Sequence, residues 1–209
     1  MNSASDDEIH QIVQRVLSQY LGLKPLVNAA PAAAPLPTPA PKTEVQAKPA
    51  GKKIVAIGAD HGGFELKEIL KAELTALGYE AIDAGTHSKE SVDYPDFAHE
   101  VAKKVSTGQA WRGIVIDGAG IGSCIVANKV PGVRAGMAYD YSSAVNSREH
   151  NDTNVLTLGA GLIGVNLAKQ IMTVWLATPF GGGRHVRRVN KIITIEKLYT
   201  KWVHLMDQD

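Results

Sequence analysis

From residue 54 onward, short apolar runs alternate with segments of helical periodicity, and this alternation strongly constrains the fold. The apolar runs predict strands at residues 54–58, 81–84, 113–117, 133–138 and 155–158. Between and after them, apolar residues recur at three- and four-residue intervals, which predicts helices that include residues 64–77, 94–105 and 185–205. Strands connected through helices pair in parallel, and helices cover both faces of the sheet. The sequence therefore predicts an α/β fold, a Rossmann-like three-layer sandwich with a parallel sheet.

The composition changes twice before that region, which divides the chain into three parts. Residues 1–23 carry apolar side chains at helical spacing on one face, which predicts an amphipathic helix. Residues 24–52 hold seven of the ten prolines, mixed with alanine, and are predicted to form an extended linker. Residues 53–209 are predicted to form the globular domain.

Charge and cysteine content narrow the possible partners. The net charge is +1, so there is no electrostatic case for nucleic acid or for an anionic membrane, although a small anion needs only a local basic cluster. The single cysteine, Cys124, excludes an internal disulfide. Neither a run of transmembrane length nor a hydrophobic signal core is present, so we expect a cytoplasmic location.

Polar and glycine-rich motifs follow the first and third predicted strands, where parallel sheets place their binding sites. Residues 60–63 read Asp-His-Gly-Gly, which fits either a proton-transfer pair or a turn in which Asp60 caps the next helix. Residues 117–122 read Asp-Gly-Ala-Gly-Ile-Gly, whose backbone N–H groups can bind a phosphate or an oxyanion formed during reaction. The latter motif is not the dinucleotide-binding fingerprint.

Two further motifs concentrate hydrogen-bonding and cationic groups. Residues 148–152, Arg-Glu-His-Asn-Asp, are predicted to form a short polar loop before the last strand. Residues 181–188 open the last helix, where Arg184 and Arg188 share a face. Cations at a helix start oppose the helix dipole, and this local cost makes sense if an anion binds there. A solvated basic patch or an inter-subunit salt bridge is the alternative interpretation. Cys124 is interpreted as a buried small residue, with a reactive thiol as the alternative.

Together these segments resemble one family. They are Gly-Ala-Asp-His-Gly-Gly-Phe at 58–64, Asp-Tyr-Pro at 93–95, Gly-x-Gly-Ile-Gly with Ala-Asn-Lys at 118–129, Ser-Arg-Glu-His-Asn-Asp-Thr-Asn at 147–154, and Gly-Gly-Arg-His at 182–185 with Arg188. The pattern resembles ribose-5-phosphate isomerase B and its galactose-6-phosphate isomerase relatives. The resemblance implies an aldose–ketose isomerase that converts ribose 5-phosphate to ribulose 5-phosphate through an enediolate. It also implies no metal, no organic cofactor, and a homodimer or homotetramer with active sites shared between subunits.

The same resemblance implies roles for individual residues. Asp60 and His61 bind substrate, His150 is the acid that opens the sugar ring, and Asn151 contacts a hydroxyl group. The enediolate is bound by the loop residues Gly118, Ala119, Gly120, Ile121 and Gly122. The phosphate is bound by Arg184 and Arg188, with His185 beside them.

Several positions depart from the family pattern. Asp117 stands where the family usually has its catalytic cysteine. In this respect the chain resembles the A-type subunit of galactose-6-phosphate isomerase, which also has an aspartate at that position. Ala119 replaces a threonine or serine, Gly161 replaces a substrate-contacting arginine, and Ser123 stands where a subclass has a glutamate base. Asp117 is therefore the predicted base, with Cys124 as the competitor. The alternative functions are a weakly active sugar-phosphate-binding or structural subunit, and an isomerase of another pentose or hexose phosphate.

The N-terminal segment resembles a second known device. A short amphipathic helix followed by a Pro/Ala linker is similar to the encapsulation peptides of enzymes enclosed in bacterial microcompartments. The resemblance implies that residues 5–23 bind shell proteins. An oligomerisation or coiled-coil helix is the alternative interpretation.

Overall fold

The structure, a computed structural model, describes residues 53–206. The strands are β1 Ile54–Ala59, β2 Glu80–Asp83, β3 Arg112–Asp117, β4 Ala135–Met137 and β5 Val155–Gly159. The helices are α1 Phe64–Ala76, α2 Tyr94–Ser106, α3 Ile121–Ala127, α4 Tyr141–Asn151, α5 Val165–Ala177 and α6 Arg184–Met206. In this part of the chain, none of the helices is both long and apolar enough to cross a membrane. The predicted N-terminal helix and linker lie outside the described residues.

The sheet has the order β2-β1-β3-β5-β4, and each neighbouring pair of strands is parallel. This confirms the predicted α/β architecture. The fourth strand is shorter than the prediction of residues 133–138. Its ladder stops early because the Arg134 N–H donates to the Asn154 side chain, and the Val133 N–H donates to the Val130 carbonyl in a turn.

Helices cover both faces of the sheet, so the strands alternate between two apolar cores. In β3, Ile114 and Ile116 belong to the core under α1 and α5, whereas Val115 belongs to the core under α2 and α3. Trp175 of α5 is fully buried in the first of these cores. Because both faces of the sheet are covered by apolar cores, the polar groups of a binding site are expected at the ends of the strands.

The predicted loop at residues 148–152 is wrong, because α4 continues through Asn151. Asp140 begins the helix with a capping box, in which its side chain accepts the Ser143 N–H and the Ser143 hydroxyl accepts the Asp140 N–H. Asp152 ends the helix in the left-handed region, with φ 48°. A helical pattern after residues 133–138 was predicted, but the last turn of this helix was missed because its inward side chains include Ser147 and Arg148, which are polar but buried.

Candidate active site

The turns after β1, β3 and β5 meet at the carboxyl edge of the sheet. The Asp60 N–H donates to the Ile116 carbonyl at 3.1 Å, and the Gly161 N–H donates to the Gly118 carbonyl at 2.9 Å. A Cβ at position 63 would lie 2.5 Å from the Ile116 carbonyl oxygen, so only glycine lets the start of α1 approach β3 this closely. The first two glycine-rich motifs are therefore neighbours, as the parallel sheet requires.

Asp60 and His61 differ in exposure. The Asp60 carboxylate is buried and accepts the Gly63 N–H at 2.9 Å, which is the capping interaction that the sequence left open. His61 is exposed, and its Nδ1 lies 3.2 Å from both the backbone N and the backbone O of Val92. One ring nitrogen of His61 is thus oriented by the backbone.

The last residue of a parallel strand is expected to point into the crevice at the edge of the sheet. Asp117 ends β3, but its carboxylate turns under the glycine loop instead. One oxygen accepts the Ala119 N–H at 2.8 Å and also the Gly120 N–H. The other accepts the N–H and the hydroxyl of Ser123, at 3.0 and 2.5 Å. To accept a proton from a substrate, the Asp117 carboxylate has to give up one of these four hydrogen bonds.

The glycine loop keeps other backbone donors free. Within residues 53–206, no hydrogen bond engages the N–H groups of Gly118, Ile121 and Gly122. Ala119 and Gly120 direct theirs to Asp117, so the structure divides the five predicted loop residues into two groups. The free groups are those available to an anionic oxygen.

Tyr94 lies beside this loop, and the sequence reasoning gave it no role. A Cβ at position 122 would lie 2.6 Å from Tyr94 ring carbons and 2.8 Å from its hydroxyl oxygen, so the ring packs directly on Gly122. The Asp-Tyr-Pro motif at the start of α2 was the available signal. Cys124 is partly exposed, not buried as interpreted, and its Sγ lies 3.6 Å from the Ala135 carbonyl oxygen beside β4.

A second cluster forms where α4 meets the start of α6. The imidazole rings of His150 and His185 stack with centroids 4.1 Å apart and an interplanar angle of 7°. Burial lowers the pKa of His185, and the neighbouring His150, Arg184 and Arg188 lower it further. Both arginines are exposed, as is Asn151 at the end of α4.

The site residues thus form two groups in one chain. The first contains Asp60, His61, Asp117 and residues 118–122; the second contains His150, Asn151, Arg184, His185 and Arg188. Within the part of the chain that the structure describes, no hydrogen bond or ion pair joins the two groups.

Comparison with known proteins decides the family. A profile of the Ribose/Galactose Isomerase family matches residues 55–192. The chain belongs to this family. The isomerase is 47% identical over 145 residues to ribose-5-phosphate isomerase B of Escherichia coli, covering 69% of this chain and 97% of that protein.

Two further relatives bear on the function. A ribose-5-phosphate isomerase B structure from Clostridium thermocellum is 52% identical, with a TM-score of 0.69, and the match covers 70% of this chain and 99% of that one. D-erythrulose-4-phosphate isomerase of Pectobacterium atrosepticum is 41% identical over 139 residues, covering 66% of this chain and 91% of that protein. The chain is therefore an aldose–ketose isomerase of the sugar-phosphate class.

Proposed function

We propose that this isomerase interconverts ribose 5-phosphate and ribulose 5-phosphate through an enediolate. The observation that carries the proposal is the junction of a carboxylate, Asp117, with a loop that keeps three N–H groups free at the sheet edge beside Asp60 and His61. Such donors stabilise negative charge that develops on a carbonyl oxygen. Both compared ribose-5-phosphate isomerase B proteins share nearly their whole length with this chain.

The proposed reaction has two parts. His150 donates a proton to the ring oxygen while the anomeric hydroxyl loses its proton, which opens the furanose to the aldehyde. Asp117 then takes the proton from carbon 2, and the free loop N–H groups bind the resulting enediolate oxygen. The Asp117 carboxyl then returns the proton to carbon 1, and the proton on the carbon 2 oxygen passes to the carbon 1 oxygen, which gives the ketose.

The phosphate is proposed to bind at Arg184 and Arg188, with His185 beside them. Two guanidinium groups at the start of α6 oppose the helix dipole, so a bound dianion would stabilise that end of the helix. Asn151 is proposed to contact a sugar hydroxyl group.

We propose that the active site is completed by a second copy of the chain, in a homodimer or homotetramer. The separation of the two groups of site residues within one chain supports this arrangement. Mixing the inactive variants Asp117→Asn and His150→Ala tests it, because a mixed dimer with shared sites regains one intact site. Random mixing should restore about a quarter of wild-type activity. No restoration would place each site within one chain.

The base is tested by hydrogen exchange as well as by turnover. Ribulose 5-phosphate cannot close a furanose ring, so exchange of its carbon 1 hydrogen in D2O reports proton transfer without ring opening. Asp117→Asn should lower both exchange and aldose turnover at least about a hundredfold, whereas His150→Ala should lower turnover and spare exchange. Cys124→Ser is the matched control, in the helix that follows the loop, and should stay within a few-fold of wild type. The reverse ranking of Asp117→Asn and Cys124→Ser would assign the base to the thiol.

Four hydrogen bonds occupy the Asp117 carboxylate and so oppose its action as a base. This observation favours one rival function, a weakly active sugar-phosphate-binding or structural subunit. Purified protein that binds ribose 5-phosphate without turning it over would support the rival. A panel of tetrose, pentose and hexose phosphates separates ribose 5-phosphate from other substrates, including the tetrose phosphate named for the Pectobacterium relative.

We also propose that residues 1–23 direct the enzyme into a bacterial microcompartment, with residues 24–52 as linker and residues 53–209 as catalytic domain. The apolar stripe and the Pro/Ala-rich composition of these segments support the proposal.

A further inference from the structure

Arg148 is a buried cation next to the candidate acid His150, and nothing in the proposed chemistry uses it. It is 5% exposed and lies on the inner face of α4. Burying a guanidinium is costly unless its donors are satisfied. The positions of those donors therefore indicate what the residue does.

The Nε and NH1 donors of Arg148 engage two segments that carry or lead to parts of the second cluster. At the end of α4, its NH1 donates to an Asp152 carboxylate oxygen at 2.8 Å and to the Thr153 carbonyl. Its Nε donates to the Thr178 carbonyl at 3.2 Å, where α5 ends. Thr178 opens the segment that leads to Arg184 and His185.

The two segments also meet through a backbone hydrogen bond. The Gly181 N–H donates to the Glu149 carbonyl at 3.0 Å, and the next contact along the chain is the stack of His150 on His185. A guanidinium offers several donors in a fixed plane, which lysine cannot reproduce. One Arg148 side chain thus fixes both partners of the stack.

We infer that Arg148 is a positioning residue of the isomerase, whose buried guanidinium clamps the end of α4 to the end of α5 and so holds His150 in register with His185 and the phosphate-binding arginines. The inference rests on the proposed role of His150. Arg148 itself is too buried to contact substrate, so it acts through the two segments that it joins.

Arg148→Lys tests the clamp, because lysine keeps the charge but offers only a point contact. Ribose 5-phosphate turnover needs ring opening, so kcat/KM should fall about tenfold or more, as expected for a misplaced catalytic group. Exchange of the carbon 1 hydrogen, measured at saturating ribulose 5-phosphate so that weaker phosphate binding does not limit it, does not need His150 and should stay within about twofold. Equal loss of both activities would show that Arg148 only stabilises the fold and would overturn the inference.

Arg112→Lys is the matched control. Arg112 is also buried and donates to the carbonyls of Trp175, Leu176 and Thr178, but it does not bond to α4. Its replacement should lower thermal stability as Arg148→Lys does and leave the ratio of turnover to exchange unchanged. A changed ratio in Arg112→Lys would contradict a role specific to Arg148. Arg148→Gln, which removes the buried charge, should show the Arg148→Lys pattern if the lysine variant does not fold.

A second readout does not require turnover. In wild type, burial and the neighbouring His150, Arg184 and Arg188 lower the pKa of His185, whereas Glu149 opposes them. Loosening the stack in Arg148→Lys should move the His185 pKa upward in a histidine NMR titration, with Arg112→Lys unchanged. An unmoved His185 titration would overturn the inference even if the protein did not isomerise ribose 5-phosphate, whereas absent wild-type turnover would count only against the proposed function.

Discussion

Replacement of Asp83 by asparagine is expected to destabilise the protein by about 3 kcal/mol, because it leaves a buried ammonium group without its main partner. Lys67 is fully buried, and its Nζ lies 2.7 and 2.8 Å from the two carboxylate oxygens of Asp83. Removing one member of a buried pair costs roughly 3–5 kcal/mol. The low end of this range applies here because a Glu68 carboxylate oxygen stays 2.9 Å from the Lys67 Nζ, and because the Asp83 side chain is itself 20% exposed.

Lys67→Met is the control that separates charge from packing. Methionine has a similar shape and no charge to bury, and Asp83 keeps Lys71 at 2.6 Å and the Gly85 N–H at 2.9 Å. We expect a change within about 1 kcal/mol. The double variant should be more stable than Asp83→Asn alone, because it no longer contains a buried ammonium group that has lost its main partner.

The assay is urea unfolding followed by tryptophan fluorescence at one fixed protein concentration, because oligomerisation contributes to the measured stability. Comparable losses in Lys67→Met and Asp83→Asn, or a double variant no better than Asp83→Asn, would refute the reasoning. Either result would mean that the change in side-chain volume, and not the buried charge, determines the loss in the free energy of unfolding.

The same pair sets a pH dependence. Burial acts to raise the pKa of Asp83, but hydrogen bonds from Lys67, Lys71 and the Gly85 amide outweigh it and lower the pKa from 3.8 to about 2. Since the folded state holds this proton more weakly, the stabilisation is complete above about pH 4 and disappears as the pH falls through about 2. The difference in stability between wild type and Asp83→Asn should shrink over that interval.

Three other predictions concern the phosphate, the core and the N-terminus. Arg184→Ala and Arg188→Ala should each raise the Michaelis constant at least about tenfold, since a charge-assisted contact contributes about 1.5–3 kcal/mol; an unchanged constant would indicate a solvated patch. Thr157→Val should stabilise the protein by about 1 kcal/mol in urea unfolding, because the fully buried Thr157 hydroxyl has no hydrogen-bond partner within residues 53–206. Deleting residues 1–52 should leave oligomer size and kinetics unchanged and abolish co-localisation with shell proteins; loss of the oligomer in size exclusion would contradict this.

Local pattern was sufficient for the architecture. The apolar runs at β1, β3 and β5 and the helical spacing between them predicted the parallel sheet, because both signals depend on neighbours within a few residues. The same pattern placed Asp60 and Asp117 at or just after the carboxyl ends of strands, and the structure shows that those two strands are neighbours. The family followed from motifs that are contiguous in the sequence.

The tertiary structure decided the features that depend on distant partners. A sequence window shows Lys67, Arg112 and Arg148 as surface-type residues, yet all three are buried, because each has a partner that lies 16 to 66 positions away. The polar end of α4 read as a loop because Arg148 pairs inward with the end of α5. Asp117 turned under its loop because backbone N–H groups, which no sequence pattern displays, surround its carboxylate. Sequence thus determined which groups reach the site, and packing alone determined where their donors and acceptors point.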